Sequence, residues 1–191
     1  MRGRDERAGS PVRGRRPEKG GPEDEPKDHA LGYSRGGFGT KLHLLTDGRG
    51  TPLAATLTPG QTHESKGFTA VLTAVRVPDG DGGHWRRPQA LAADKAYSCA
   101  WNRTHLRTRG IERVIPQKSD QVGRRGGHRK FDKVKYRRRH VIEQCVGWLK
   151  ELRRLGTRFE KLAVNFLAMV KLGFVHRYLR LLSSRRTRTL A

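Results

Sequence analysis

The sequence has 191 residues, which is the length of one domain of ordinary size with a tail. Hydrophobic residues make up 34% of it, charged residues 31%, and the formal net charge is +23. It has no apolar run long enough to span a membrane and no apolar core of a secretory signal at the N-terminus, so we expect a cytoplasmic protein that does not enter the membrane.

The positive charge is concentrated in the second half of the chain. Residues 101–158 carry 18 lysines and arginines against 5 acids, a net charge of +13. A field focused in this way attracts a polyanion, and nucleic acid is the commonest one. The alternative is a solvated basic face on a protein with another task.

The first third of the chain predicts a tail followed by a hairpin. Residues 1–37 are rich in glycine, proline and charge and lack apolar periodicity, so we expect a disordered basic tail. Residues 41–46 read as a strand and residues 52–58 as its partner, with Asp47-Gly48 supplying the left-handed turn conformations between them. Residues 64–75 then have apolar residues at helical spacing, and a Gly/Pro-rich loop follows.

Asp94 ends the next apolar segment, residues 89–93, which reads as a short strand. A helix is predicted from Ser98 to Arg109, with Gly110 as its C-cap, and residues 111–115 alternate like another strand. This element order predicts a mixed α/β sheet domain. Reactive groups gather at the carboxyl ends of strands in open α/β sheets, and a carboxylate there suits magnesium. The alternative for Asp94 is a cap of the following turn.

Residues 117–135 are polar, basic and rich in glycine, and they predict a mobile loop. Its cations are either phosphate contacts or an ordinary basic surface; they are Arg124, Arg125, Arg129 and Lys130. Two helices are predicted to follow, over residues 136–155 and 161–182. We interpret the apolar stripe of the last helix as core packing; it consists of Val164, Leu167, Ala168, Leu172, Val175, Leu179 and Leu182.

The helix over residues 136–155 divides its faces in an unusual way. At 100° per residue, four polar side chains share an arc of about 60°; they are Tyr136, Arg139, Glu143 and Lys150. The opposite face is apolar and carries Val141, Cys145, Trp148, Leu149, Leu152 and Leu155. Glu143 is either a metal ligand flanked by phosphate-binding cations or an exposed ion-pair partner, which is worth only about 0.3–0.5 kcal/mol.

The spacing Y-x2-R-x3-E-x6-K, filled by these four residues, resembles the signature of insertion-sequence transposases of the DDE class. The segment Gly36 to His43 with Asp47-Gly48-Arg49-Gly50 resembles the hairpin of the same proteins. Ala93-Asp94-Lys95-Ala96-Tyr97 resembles the segment that carries the family's second catalytic acid. The resemblance runs from about residue 28 to residue 182.

The resemblance implies a ribonuclease-H-like mixed sheet with flanking helices, which we assign to residues 38–183, followed by a basic tail, residues 184–191. It also implies metal-dependent cleavage and strand transfer of insertion-element DNA, with two Mg²⁺ or Mn²⁺ ions held by three carboxylates. By position, Asp94 and Glu143 are the second and third acids, and Tyr136, Arg139 and Lys150 grip the DNA backbone. Double-stranded DNA is the implied partner, and such proteins act as homodimers on paired element ends, although the sequence shows no interface.

The first acid of the family pattern has no match in this sequence. It belongs on a strand before residue 41, but Asp5 and Asp28 both lie in polar surroundings. We therefore expect that the first strand is lacking, as in an N-terminally truncated copy, and that the chain alone is inactive. Two alternatives remain: a basic nucleic-acid-binding protein without catalysis, and a translated fragment that does not fold well.

Overall fold

In this computed structural model, the described residues are 29–85, 87–118 and 131–189, with side chains as far as residue 184. The chain forms two compact units. The first consists of Met1–Leu42, Leu57–Thr62 and Val146–Ala191, and the second of His43–Thr56 and His63–Cys145. Asp94, Tyr136, Arg139 and Glu143 therefore all belong to the second unit, and Lys150 belongs to the first.

Three strands open the fold: β1 (Gly32–Ser34), β2 (Gly37–Thr46) and β3 (Pro52–Pro59). They form one sheet in the order β1-β2-β3, and β1 pairs with β2 in antiparallel register. The strands β2 and β3 confirm the two that alternation predicted. We expected disorder over residues 1–37, and the strand β1 corrects this expectation for the end of that range. Residues 1–28 lie outside the described residues.

The segment at β1 is ordered by side-chain contacts that its local sequence pattern does not reveal. Thr40 Oγ1 donates to the Ala30 carbonyl at 2.5 Å, and the ring of Tyr33 lies 4.8 Å from that of Phe38. Arg158, which is only 7% exposed, donates through Nη2 to the His29 carbonyl at 2.8 Å. This buried guanidinium ties the start of the described chain to a residue more than 100 positions later.

The turn between β2 and β3 differs in detail from the prediction. The side chain of Asp47 accepts hydrogen bonds from the amides of Arg49 and Thr51, both at 2.8 Å, and Gly50 takes the left-handed conformation with φ +81°. A Cβ at Gly50 would lie 3.2 Å from the carbonyl oxygen of Val141. Aspartate side-chain capping thus replaces the Asp47-Gly48 turn that we expected, and glycine is needed two residues later.

The second unit holds helix α1 (Ser65–Thr73), strand β6 (Ala90–Ala92), helix α2 (Ala100–Thr108) and strand β7 (Glu112–Val114). All four were predicted. The loop predicted after α1 contains two short strands, β4 (Val77–Pro78) and β5 (His84–Trp85), which pair with each other. A buried cluster joins these elements and consists of Phe68, Leu72, Leu91, Leu106, Ile111 and Ile115.

The strands β6 and β7 run parallel, with Ala90 opposite Glu112 and Ala92 opposite Val114. Gly110, with φ +63°, ends the preceding helix as predicted, and the chain can therefore turn directly into β7. Within the described ranges, β6 and β7 pair with each other, and the strands form one three-stranded and two two-stranded sheets. The mixed α/β composition is confirmed.

The helix predicted over residues 136–155 is divided into α3 (Lys133–Arg137), α4 (His140–Glu151) and α5 (Arg153–Gly156). Between α3 and α4, the amides of Arg139 and Ile142 bond to carbonyls three residues earlier, at 3.0 Å each. This tight turn interrupts the regular winding on which the predicted arc of side chains was based. Asp132 caps α3, its Oδ1 accepting from the Lys135 amide at 2.9 Å.

The last helix, α6 (Ala163–Thr189), has two apolar faces. The inner face is buried and holds Phe166, Val170 and Phe174, and a Cβ at Gly173 would touch the side chains of Leu149, Leu152 and Leu155. The stripe that we assigned to the core lies on the other face. That prediction is wrong for six of its seven members: Ala168 is exposed, and the other five are 49–65% exposed; they are Val164, Leu172, Val175, Leu179 and Leu182.

Candidate functional site

Asp94 stands where β6 ends and a short 3-10 turn, Lys95–Tyr97, begins. Its backbone is extended, its side chain is exposed, and its Oδ1 accepts from the Ala96 amide at 3.4 Å. The Asp94 carboxylate thus caps the following turn, as the alternative to a metal ligand predicted, but this hydrogen bond is long. An exposed carboxylate held by one weak bond also keeps oxygen lone pairs for a further ligand.

Tyr97, at the other end of this turn, is half-buried, and its hydroxyl lies 3.3 Å from Nδ1 of His43. Burial, the charge of Glu64 and then the charge of Asp94 raise the pKa of Tyr97 to about 12. The phenol therefore keeps its proton at neutral pH. His43 and Tyr97 both lie in segments that resemble the family, but the sequence alone assigns neither of them a role.

Tyr136, Arg139 and Glu143 are brought together as their spacing predicted, despite the interrupted helix. The guanidinium carbon of Arg139 lies 5.6 Å from the centre of the Tyr136 ring, and its Nη2 lies 2.8 Å from Oε1 of Glu143. The Glu143 side chain is 62% exposed. The three groups therefore form a row of phenol, guanidinium and carboxylate that is open to solvent.

Phe131 extends this row by one more aromatic ring. Its centre lies 5.1 Å from that of Tyr136, and the residue is 39% exposed. Next to it, Nζ of Lys135 lies 2.6 Å from Oε2 of Glu112 in β7, and this hydrogen bond raises the pKa of Lys135. The ion pair ties α3, which carries Tyr136, to the strand that pairs with β6.

Lys150 is exposed near the end of α4, seven positions after Glu143. The four cations of the basic loop, Arg124, Arg125, Arg129 and Lys130, lie outside the described residues.

Asp94 and Glu143 are the two acids expected to hold metal. Oxygen ligands of exposed carboxylates suit Mg²⁺ and Mn²⁺, so the chemistry of the donor set fits these ions. Among the residues with described positions, no three histidine, cysteine or acidic side chains are grouped closely enough to hold an ion between them. Among the described residues, no helix is long and apolar enough to cross a bilayer.

The chain is similar to known transposases. The transposase DDE domain family matches residues 9–176. A Burkholderia cepacia protein described as the transposase for insertion sequence element IS402 is 38% identical over 136 residues, which are 71% of this chain and 60% of that protein. A Brucella ovis protein described as the transposase for element IS6501 is 29% identical over 141 residues, 72% of this chain and 92% of that protein. The chain thus spans less than two thirds of the length of the Burkholderia relative. No solved structure matches this chain.

Proposed function

Because the chain belongs to the transposase DDE domain family of bacterial insertion-sequence transposases, we propose that it acts in DNA transposition by metal-dependent cleavage and strand transfer. The observation that carries the proposal is the row of Tyr136, Arg139 and Glu143, in which a phenol and a cation stand beside an exposed carboxylate. All three residues, with Asp94 and Lys150, lie inside the segment that the family matches.

We assign the metal to Asp94 and Glu143. Both carboxylates are exposed and belong to the same compact unit. A divalent ion bound there would supply Lewis-acid stabilisation of the charge that develops on phosphate oxygens. Asp94 and Glu143 would provide the oxygen ligands of this ion and keep it at a fixed place beside the DNA.

Arg139, the salt-bridge partner of Glu143, and Lys150 are assigned to the DNA backbone. Arg139 presents a planar guanidinium, which suits two phosphate oxygens at once, and Lys150 supplies a point charge. Tyr136, packed on Phe131, offers a ring face and a hydroxyl near the same place. The loop cations Arg124, Arg125, Arg129 and Lys130 are proposed as further phosphate contacts, and double-stranded element ends and target DNA as the partners.

We further propose the ribonuclease-H-like fold for residues 38–183 and a homodimer as the acting form. Support for the fold comes from the family match, from the parallel pair β6–β7 with Asp94 at its carboxyl end, and from the acid Glu143 on a late helix. The homodimer rests on the family resemblance alone.

Metal-dependent DNA binding tests the proposal. Fluorescence anisotropy of a duplex that carries the element's terminal sequence is measured with and without Mn²⁺ for the wild type, Glu143→Gln and Glu151→Gln. Glu151 is an exposed acid on the same helix and serves as the matched control. We expect Mn²⁺ to tighten binding about tenfold, or about 1.4 kcal/mol, for the wild type and Glu151→Gln only.

Equal affinity with and without Mn²⁺ for all three proteins would instead support the non-catalytic nucleic-acid-binding protein. The same samples report nicking. Since Asp94 and Glu143 are two of the three acids that the family pattern implies, we expect the isolated chain to nick DNA at the background rate. Mn²⁺-dependent turnover well above background would contradict that expectation.

A further inference from the structure

The turn that carries Asp94 is anchored at its far end by buried polar side chains. Nδ2 of Asn102, a residue with no exposed surface, donates to the Tyr97 carbonyl at 3.1 Å. The Tyr97 hydroxyl lies 3.3 Å from Nδ1 of His43, which is 2% exposed. Backbone and side chain of Tyr97 are thus each held by a partner that is locked in the interior of the unit.

The contact between Tyr97 and His43 has further support around it. The ring of Tyr97 packs on Phe68 at 5.7 Å, so the phenol cannot swing away without leaving the core cluster. A Cβ at Gly67 would collide with the imidazole of His43, so glycine at this position allows α1 to lie directly against that ring. The high pKa of Tyr97 keeps its hydroxyl protonated, and the direction of its hydrogen bond with His43 Nδ1 follows from the tautomer of the imidazole.

Asp94 itself is held far less firmly than the other end of its turn. The hydrogen bond that its side chain accepts from the Ala96 amide is 3.4 Å long, and the residue is exposed. The Tyr97 amide donates to the Asp94 carbonyl at 3.0 Å, which connects the two ends through the backbone. The direction of the Asp94 carboxylate therefore depends on where Tyr97 is fixed.

We propose that Tyr97 is a positioning residue for Asp94, and that the hydrogen bond between its hydroxyl and buried His43 fixes the turn from which Asp94 presents its carboxylate. As a statement about metal binding, this inference rests on the proposed function. As a statement about the turn, it stands on the geometry alone. Neither His43 nor Tyr97 contacts the metal or the DNA in this account.

The experiment compares Tyr97→Phe with Tyr33→Phe, a matched loss of a hydroxyl from a tyrosine that is 69% exposed. Hydrogen–deuterium exchange is followed in the full chain for the peptide that spans residues 94–98 and for peptides from α2 and α6. We expect exchange in the 94–98 peptide to rise about tenfold in Tyr97→Phe and to stay unchanged in Tyr33→Phe. Exchange in the two helices should not change, whereas a general loss of stability would raise it everywhere.

His43→Leu and the double variant, which combines it with Tyr97→Phe, test whether the faster exchange comes from loss of the hydrogen bond between His43 and Tyr97. If the two side chains act through their mutual hydrogen bond, the double variant should exchange in this peptide no faster than either single variant. Additive effects of the two substitutions would contradict the shared bond. Unchanged exchange at residues 94–98 in Tyr97→Phe overturns the inference, whatever the metal measurement shows.

Mn²⁺ affinity, measured on the same proteins by electron paramagnetic resonance, separates this inference from the proposed function. Weaker Mn²⁺ binding by Tyr97→Phe, about tenfold, with faster exchange supports both. Faster exchange in a protein whose wild type binds no Mn²⁺ supports the positioning of the turn and rejects the proposed metal site. Mn²⁺ binding that is lost in Asp94→Asn but unchanged in Tyr97→Phe, together with unchanged exchange, rejects the inference and leaves the proposed function intact.

Discussion

Arg139 and Glu143 form a salt bridge in which Nη2 of the arginine lies 2.8 Å from Oε1 of the glutamate. The Glu143 side chain is 62% exposed and that of Arg139 is 27% exposed, and solvent-accessible pairs four residues apart contribute only about 0.3–0.5 kcal/mol. Stability alone therefore does not explain why an arginine stacked on Tyr136 is directed at this acid. We propose that Arg139 is a phosphate ligand held next to the carboxylate to which we assign the metal.

Replacement of Arg139 should separate stability from DNA binding. We expect Arg139→Gln to change the free energy of unfolding by less than about 0.5 kcal/mol, and to lower the slope of log affinity against log salt by about 0.9, the value for one lost phosphate contact. Urea unfolding and salt-dependent fluorescence anisotropy measure the two quantities. Arg107→Gln, which removes an exposed arginine of α2, is the control. An Arg139→Gln slope equal to that of the wild type would remove Arg139 from the interface.

The pKa of Tyr97, about 12, makes a prediction for high pH. In the unfolded chain the phenol ionises near its ordinary value of 10, so between pH 10 and 12 the unfolded state loses a proton that the folded state keeps. The stability that depends on the neutral phenol is complete below pH 10 and falls as pH rises to 12. We expect Tyr97→Phe to flatten the decline of the unfolding free energy in this range.

Tyrosinate absorbance provides the direct reading. The chain has four tyrosines, and Tyr97→Phe should remove a component that titrates near pH 12. Loss of an early component in Tyr97→Phe would show that burial of this hydroxyl does not hold in solution.

The two faces of α6 can be compared with a matched pair of substitutions. Val170 is 1% exposed on the inner face and Val175 is 49% exposed on the outer face. We expect Val170→Ala to lower the free energy of unfolding by roughly 2 kcal/mol, since a buried valine contributes about that much, and Val175→Ala to change it by less than about 0.5 kcal/mol. Equal losses in chemical denaturation would indicate that the outer face is covered in solution, as the sequence pattern had suggested.

The sequence predicted those elements whose pattern is local. Alternation identified β2 and β3, and helical spacing identified α1 and α2, because side-chain periodicity follows directly from backbone geometry. It failed at residues 138–139, where a run of arginines has good helix propensity and gives no sign of a tight turn. It also misjudged α6, because periodicity shows that a helix has an apolar face but not which neighbour covers that face.

The same limit applies to the site. Tyr136, Arg139 and Glu143 are close in sequence, so their spacing sufficed to bring them together. His43 and Tyr97 are 54 positions apart, and only the fold shows that they meet. A glycine at position 67 and a buried histidine in β2 are each unremarkable in the sequence, and their significance comes from the packing of α1 against the imidazole ring.

We propose that Asp94 and Glu143 hold the same divalent ion, and Mn²⁺ binding by the wild type, Asp94→Asn, Glu143→Gln and the double variant shows whether they do. Electron paramagnetic resonance titration measures the affinity, and circular dichroism confirms that each variant is folded. We expect each single substitution to weaken Mn²⁺ binding at least tenfold and the double variant to bind hardly less tightly than either. Wild-type affinity in one of the single variants, or losses that simply add, would show that the two acids do not share an ion.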